Sequence, residues 1–227
     1  MEANNKEKSI KDKCFDEFNF CHIPTSKVNE ALVYASTLHK GQVRKDNTEY
    51  INHPIRIANY IKNLELDNLE QYRNLLITCS YLHDTIEDTI ATYYDIADKF
   101  GNIVASIVLE LTSDKIFKKE IGKTKYLQLK MTNMTDLALI IKLADRLDNV
   151  KDLVNSNDEF RVKYIKETIE ILNYILDNRE FSKIQLNILE EIKSSIFELI
   201  ELYSYQRFIY SGNLFKIDSK LKEKKLT

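Results

Sequence analysis

Glycine and proline are scarce in this chain, four and two among 227 residues. That leaves few positions for the tight, left-handed turns that a protein built of hairpins needs in number. Tryptophan is missing, and the three cysteines, Cys14, Cys21 and Cys79, include no Cys-x-x-Cys pair. Such sparse thiols argue against a secreted disulfide framework and against a zinc ribbon. Cys79 lies in an apolar run and reads as core. Neither sign of charge dominates: 33 Lys and Arg stand against 35 Asp and Glu, a formal net charge of -2. No global field would therefore hold nucleic acid, and any polyanion site has to be local. No apolar stretch reaches the length of a membrane span, and the polar first dozen residues contain no apolar signal segment. The expectation is a cytoplasmic protein with neither nucleic acid nor membrane as partner.

What is present in quantity is hydrophobic surface, 44% of residues, recurring at helical rather than alternating spacing. An all-α protein follows, and the length suffices to bury one sizeable core. Thr25 or Ser26 is placed to cap a first helix through Val28, Ala31, Leu32, Ala35 and Leu38, with Gly41 as its left-handed stop. Residues 42–52 then read as a polar loop. Pro54 suits the first turn of the next helix and puts His53 at its entry. A third helix runs through Tyr72, Leu75, Leu76, Cys79 and Leu82, and His83 extends its buried stripe. Further helices are expected over 89–100, 102–111, 126–132, 136–150, 158–176 and 182–205. Residues 113–123 read as a charged, mobile loop, and the chain from Lys216 onward as frayed. The expected organisation is an N-terminal extension over 1–24, one domain over 25–215 and a charged tail over 216–227.

Four residues in this pattern suit a divalent metal: His53, His83, Asp84 and Asp145. A helical bundle holds such an ion with side chains brought inward from several helices, and neutral imidazoles with carboxylates satisfy a borderline or hard cation. Two imidazoles and two carboxylates neutralise a dication and leave positions for water and a phosphate oxygen, the requirement of a metal-dependent phosphohydrolase. Glu87 and Asp88 follow Asp84 at three and four residues, one helical turn away, so an acid pair would lie beside the metal and could orient or deprotonate water. The loop before His53 supplies Arg44 and Lys45, cations for a phosphate-rich ligand, and Tyr50, a ring that could stack on a base. Around Asp145, Lys142, Arg146 and Asn149 recur at three- and four-residue spacing and offer donors for phosphates, ribose or base.

Plainer readings exist for several of these residues. Lys142 and Arg146 could simply solvate a helix face. His39 ends the first helix, where capping or anchoring of the loop needs no metal. His22 reads as surface or linker, and Tyr93 and Tyr94, at helical spacing, as core.

The segments His39-Lys40-Gly41-Gln42-Val43-Arg44-Lys45, Tyr50-Ile51-Asn52-His53-Pro54, His83-Asp84-Thr85-Ile86-Glu87-Asp88-Thr89 and Lys142-Leu143-Ala144-Asp145-Arg146-Leu147-Asp148-Asn149 together resemble the hydrolase domain of RelA/SpoT-type alarmone enzymes. The likeness runs from about Val28 to Leu153. It implies an HD-domain helical bundle and manganese-dependent removal of the 3′-pyrophosphate of guanosine tetra- or pentaphosphate, giving GDP or GTP and pyrophosphate. His53, His83, Asp84 and Asp145 match that family's metal ligands and Glu87 and Asp88 its acid pair. Arg44 and Lys45 match its nucleotide-binding loop, and Asn149 a nucleotide-contacting position. No segment is left for a synthetase domain, so a stand-alone small alarmone hydrolase is the expected form, with a homo-oligomer allowed. Asp148 departs from a histidine common in the long enzymes, Lys151 from an arginine, and the loop between Lys45 and Tyr50 is short; all three bear on nucleotide contacts. Two alternatives stay open: a phosphohydrolase of another nucleotide, such as the 2′-phosphate of NADPH, and a non-catalytic alarmone-binding or antitoxin-like protein.

Overall fold

In the computed structural model the placement of residues 22–203, 217 and 219–224 is described. The elements run α1 (Thr25–Leu38), α2 (Asn52–Lys62), a 3-10 turn (Asp67–Tyr72), α3 (Arg73–Leu82) and α4 (Thr85–Asp88). They continue with α5 (Tyr93–Phe100), α6 (Asn102–Leu111), α7 (Lys115–Ile121), α8 (Lys123–Asn133) and α9 (Asp136–Lys151). A second 3-10 turn (Asp152–Asn155), α10 (Asp158–Asn178) and α11 (Lys183–Leu202) complete the order. Among the described residues no strand forms, only one isolated antiparallel bridge between Val43 and Glu49. No helix of the described residues is long and apolar enough to cross a membrane.

Two helices form the centre. α3 packs against α1, α2, α6 and α9, while α9 packs against α2, α3, α6 and α11. Both are buried on most of their circumference: Leu75 through Ser80 and Leu82 in α3, and Leu137 through Ile141 and Leu143 through Leu147 in α9. A helix surrounded in this way must be apolar on nearly every face, and polar residues persist there only where they find partners. The buried His83, Asp145 and Arg146 are therefore the residues to explain.

Several boundaries differ from those read in the sequence. Thr25 and Ser26 lie inside α1, whose N-cap is Pro24 with no side-chain cap; the Pro24 carbonyl accepts from Lys27 and Val28 instead. α5 begins at Tyr93 rather than Thr89, because Thr92 and Asp95 close a reciprocal capping box. The chain turns after Leu82, so Glu87 and Asp88 sit on the short α4 and not on a continuation of α3. The segment expected to be a mobile loop contains α7, started by Asp114, whose side chain accepts from Ile116 and Phe117. Tyr94 is exposed rather than core. The expected fraying from Lys216 is also corrected: Ile217 and Leu221 are buried, and Lys220 pairs with Asp177 of α10 at 2.6 Å. Cys14 and Cys21 lie outside the described residues.

Candidate metal centre and its cleft

Three elements bring the metal-type ligands together. His53 enters from the first turn of α2, His83 from the end of α3 and Asp145 from the middle of α9. Each offers a ligand atom, all within 4.8 Å of one another. Each imidazole is tied on its far side. His83 Nδ1 is 2.8 Å from the Ser80 carbonyl and His53 Nδ1 is 2.6 Å from Asp148 Oδ2. Both acceptors require Nδ1 to carry the proton, which leaves the two Nε2 lone pairs for a cation. His83 Nε2 is buried without a hydrogen-bond partner, although Asp84 Oδ2 is 2.9 Å away; the distance is short, the angle is not that of a hydrogen bond. A buried nitrogen in that position lacks a partner that a metal ion would supply.

The charges agree with a cation site. Burial disfavours charge on Asp145, yet Lys142 and the imidazoles of His53 and His83 hold its carboxyl well below the usual range. Its Oδ2 accepts from Lys142 at 2.8 Å and its Oδ1 from Asn149 at 2.6 Å. His83 is buried, which opposes protonation, but the carboxylates of Asp84 and Asp145 outweigh this and hold its pKa up at about 9. In this arrangement a proton occupies the role that a dication would take. Asp84 stands beside the trio, its Oδ2 receiving the Tyr50 hydroxyl. Tyr50 is thus engaged with the Asp84 carboxylate, packed between His39 (4.7 Å) and His53 (5.9 Å), and its hydroxyl pKa is pushed up by burial and by Asp84.

The two neighbouring acids, Glu87 and Asp88, sit in different surroundings. Glu87 Oε2 accepts from the Ser113 backbone N–H at 2.8 Å and Oε1 from Lys118 at 3.2 Å. Burial works against its charge, but these donors prevail and its pKa is lowered. Asp88 has its pKa raised, by burial and then by the charges of Asp84 and Glu87, which suits a proton acceptor. Gln42 links this pair to the first loop, its Nε2 donating to the Asp88 carbonyl at 2.9 Å while Oε1 meets His39 Nδ1 at 2.8 Å. His39 is buried and anchors the loop, and His22 is exposed.

Both carboxylates open into a cleft of about 430 Å³, within the usual size of small-molecule sites. Arg44 lies on one wall, donating to Asn149 at 2.9 Å and pairing with Asp152 at 2.9 Å. Lys45 has its ammonium over the Phe160 ring, 3.0 Å from the centroid. Arg146 is buried and Lys142 is largely covered and paired with Asp145, so neither simply solvates a face. Arg146 donates to Glu167 at 3.2 Å and lies over the Tyr164 ring at 4.9 Å.

The residues 31–180 match the family model described as HD domain. The chain belongs to the HD-domain family. An HD domain holds a divalent metal, and His53, His83 and Asp145 could supply its ligands. The HD domain is 36% identical over 161 residues to the guanosine-3′,5′-bis(diphosphate) 3′-pyrophosphohydrolase of Aquifex aeolicus (strain VF5), covering 66% of this chain and 21% of that protein. It is 35% identical over 150 residues to the bifunctional (p)ppGpp synthase/hydrolase SpoT of Escherichia coli (strain K12), with 64% and 20% covered. Against the GTP pyrophosphokinase of Myxococcus xanthus the identity is 31% over 152 residues, with 63% and 19% covered. The matches span about a fifth of the length of these curated relatives. A solved structure of a metazoan ortholog of SpoT, one that hydrolyses ppGpp and plays a role in starvation responses, superposes with a TM-score of 0.61 at 26% identity, covering 80% of this chain and 97% of that one.

Within the HD domain, the support that Asp148 gives His53, rather than a nucleotide contact, and several side chains that line the cleft went unnoticed in the sequence. Asp148 supports His53 and also accepts from Arg56 at 2.6 and 2.8 Å; it lies one turn beyond Asp145 on α9, a spacing that was available to read. Lys118 and Lys123 add cations to the cleft lining, and Phe160 and Tyr164 add aromatic rings. The last two, four residues apart, carry the signature of core packing, so their spacing held no functional signal.

Proposed function

We propose that this HD domain hydrolyses the 3′-pyrophosphate of guanosine tetra- or pentaphosphate to GDP or GTP and pyrophosphate, with manganese as its ion. The carrying observation is the convergence of His53, His83 and Asp145, with both imidazoles tied at Nδ1 so that their Nε2 atoms are left for a shared ion. The names of the relatives, all concerned with guanosine polyphosphates, supply the substrate class.

His53, His83, Asp84 and Asp145 are the metal ligands in this reading. A bound divalent cation would lower the pKa of water and polarise the phosphoryl oxygen. Asp88, with its raised pKa, accepts the proton of the attacking water. Glu87, kept anionic by Ser113 and Lys118, orients that water. Water oxygen bonds to the phosphorus attached at the ribose 3′ oxygen, the bond from that phosphorus to the 3′ oxygen breaks, and the 3′ oxygen leaves with a proton. Arg44, Lys45, Lys142 and Arg146 give the phosphates their counter-charge, Asn149 contacts the nucleotide, and Tyr50 steadies Asp84 from beside the substrate.

The experiment is a nucleotide panel. Manganese-loaded protein is offered guanosine tetraphosphate, guanosine pentaphosphate, NADPH and a plain nucleoside diphosphate, and products are separated by ion-exchange chromatography. Preferential release of pyrophosphate from the guanosine polyphosphates is expected. Release of phosphate from NADPH with the alarmones untouched would replace the substrate, and no turnover of any would replace the reading with a binding role.

A further inference from the structure

The corner joining α6 to α7 is held by three hydrogen bonds on successive residues. Ser113 N–H donates to Glu87 Oε2 at 2.8 Å, Asp114 N–H donates to the Tyr126 hydroxyl at 2.7 Å, and the Thr112 carbonyl receives the Lys130 ammonium. Tyr126 and Lys130 are four residues apart on α8, one turn, and so present their polar ends to the same place; Lys130 Nζ is also 3.5 Å from the Tyr126 oxygen. Lys130 forms no ion pair among the described residues. Its charge is given to a backbone carbonyl instead, in a setting where burial, with Lys142 nearby, lowers its pKa to about 8. Burying an ammonium this way opposes folding unless it fixes something in return.

What it fixes is the direction of one N–H bond. Thr112 is pinned through its carbonyl and Asp114 through its amide, so the Ser113 amide between them has little freedom to turn away from Glu87. Lys118 and Lys115 complete the attachment, one to the Glu87 carboxylate at 3.2 Å and the other to its carbonyl at 2.8 Å. We infer that Lys130 and Tyr126 are positioning residues for hydrolysis: they act through the 112–114 corner to hold the Glu87 carboxylate, without touching substrate. This rests on the reading of Glu87 as a member of the acid pair.

The test uses the full chain with manganese and guanosine tetraphosphate, in the variants Lys130→Met, Lys130→Arg, Tyr126→Phe, Glu87→Gln and Glu87→Gln with Lys130→Met. Lys130→Met and Tyr126→Phe are expected to lower kcat roughly tenfold to a hundredfold, the scale of a reacting group displaced by about an ångström. KM should stay near that of the unaltered protein, and both variants should remain folded at the assay temperature. Lys130→Arg, which retains a donor, should recover most of the loss, and the double variant should be no slower than Glu87→Gln alone. Independently of turnover, the Ser113 amide should exchange with solvent faster in Lys130→Met and in Tyr126→Phe. Should Lys130→Met fail to fold, Tyr126→Phe keeps the packed ring and carries the same expectations. If Glu87→Gln loses turnover while Lys130→Met and Tyr126→Phe keep full kcat and Ser113 protection, the role of the corner is overturned and the hydrolase stands. Full turnover in Glu87→Gln would overturn the reading of Glu87, and this inference with it.

Discussion

Asp148→Ala removes the acceptor that sits 2.6 Å from His53 Nδ1. The proton on Nδ1 then loses its partner, the ring can exchange tautomers and rotate, and Nε2 is presented to the metal for only part of the time. A carboxylate that orients a metal-binding imidazole in this way contributes about 10- to 100-fold in metal affinity, equivalent to roughly 1.4–2.7 kcal/mol. The loss of the Arg56 pair adds little to folding, because the Arg56 side chain is 42% exposed and such pairs contribute under about 1 kcal/mol. Metal affinity and stability should therefore separate. Calorimetric titration of manganese into metal-stripped protein measures the first and thermal unfolding the second. Asp148→Asn, which keeps an oxygen near Nδ1 but not the charge, should fall between. An unchanged dissociation constant in folded Asp148→Ala would refute the reasoning, since His53 would then be oriented by something other than Asp148.

Glu87→Gln should bind manganese within about threefold of the unaltered protein yet lose roughly 10²–10⁴-fold in kcat, the range for general acid–base assistance; manganese titration and initial rates decide it. Ile141→Ala, at a fully buried position of α9, should destabilise by about 2–5 kcal/mol in urea unfolding followed by circular dichroism. Lys130 has its folded pKa lowered to about 8 from 10.5, so between those values the unfolded chain binds a proton that the folded chain does not. Stability attributable to this group is at its lowest below pH 8 and rises from there to about 10.5. The difference in unfolding free energy between the unaltered protein and Lys130→Met should shift in that direction across the window, and a flat difference would contradict it.

The helices that bury a stripe were readable from spacing: α6 has the expected bounds, and α3, α9 and α10 differ only at their ends. α7 was not readable because none of its residues is buried, so there is no apolar period to find. The docked tail was hidden by composition: Ile217 and Leu221 are two apolar residues in a lysine-rich stretch, too few to establish a helix. Convergence of His53, His83 and Asp145 was legible because a polar side chain facing inward from an apolar helix must find a partner there, and a shared cation satisfies all three at once. Contacts between distant segments were not. Lys118 meets Glu87 across 31 residues and Arg44 meets Asn149 across 105, and no local pattern encodes such pairings. The break after Leu82 depended on Thr85, whose hydroxyl donates to the Leu82 carbonyl at 2.6 Å, competing with a continued helix.

The most direct measurement takes metal-stripped protein and guanosine tetraphosphate, with and without added manganese, beside an Asp84→Asn variant treated identically. GDP and pyrophosphate appearing only with manganese, and not in the variant, is the predicted result. Equal rates in the variant, or turnover that persists after the metal is removed, would contradict a metal-dependent hydrolysis centred on His53, His83, Asp84 and Asp145.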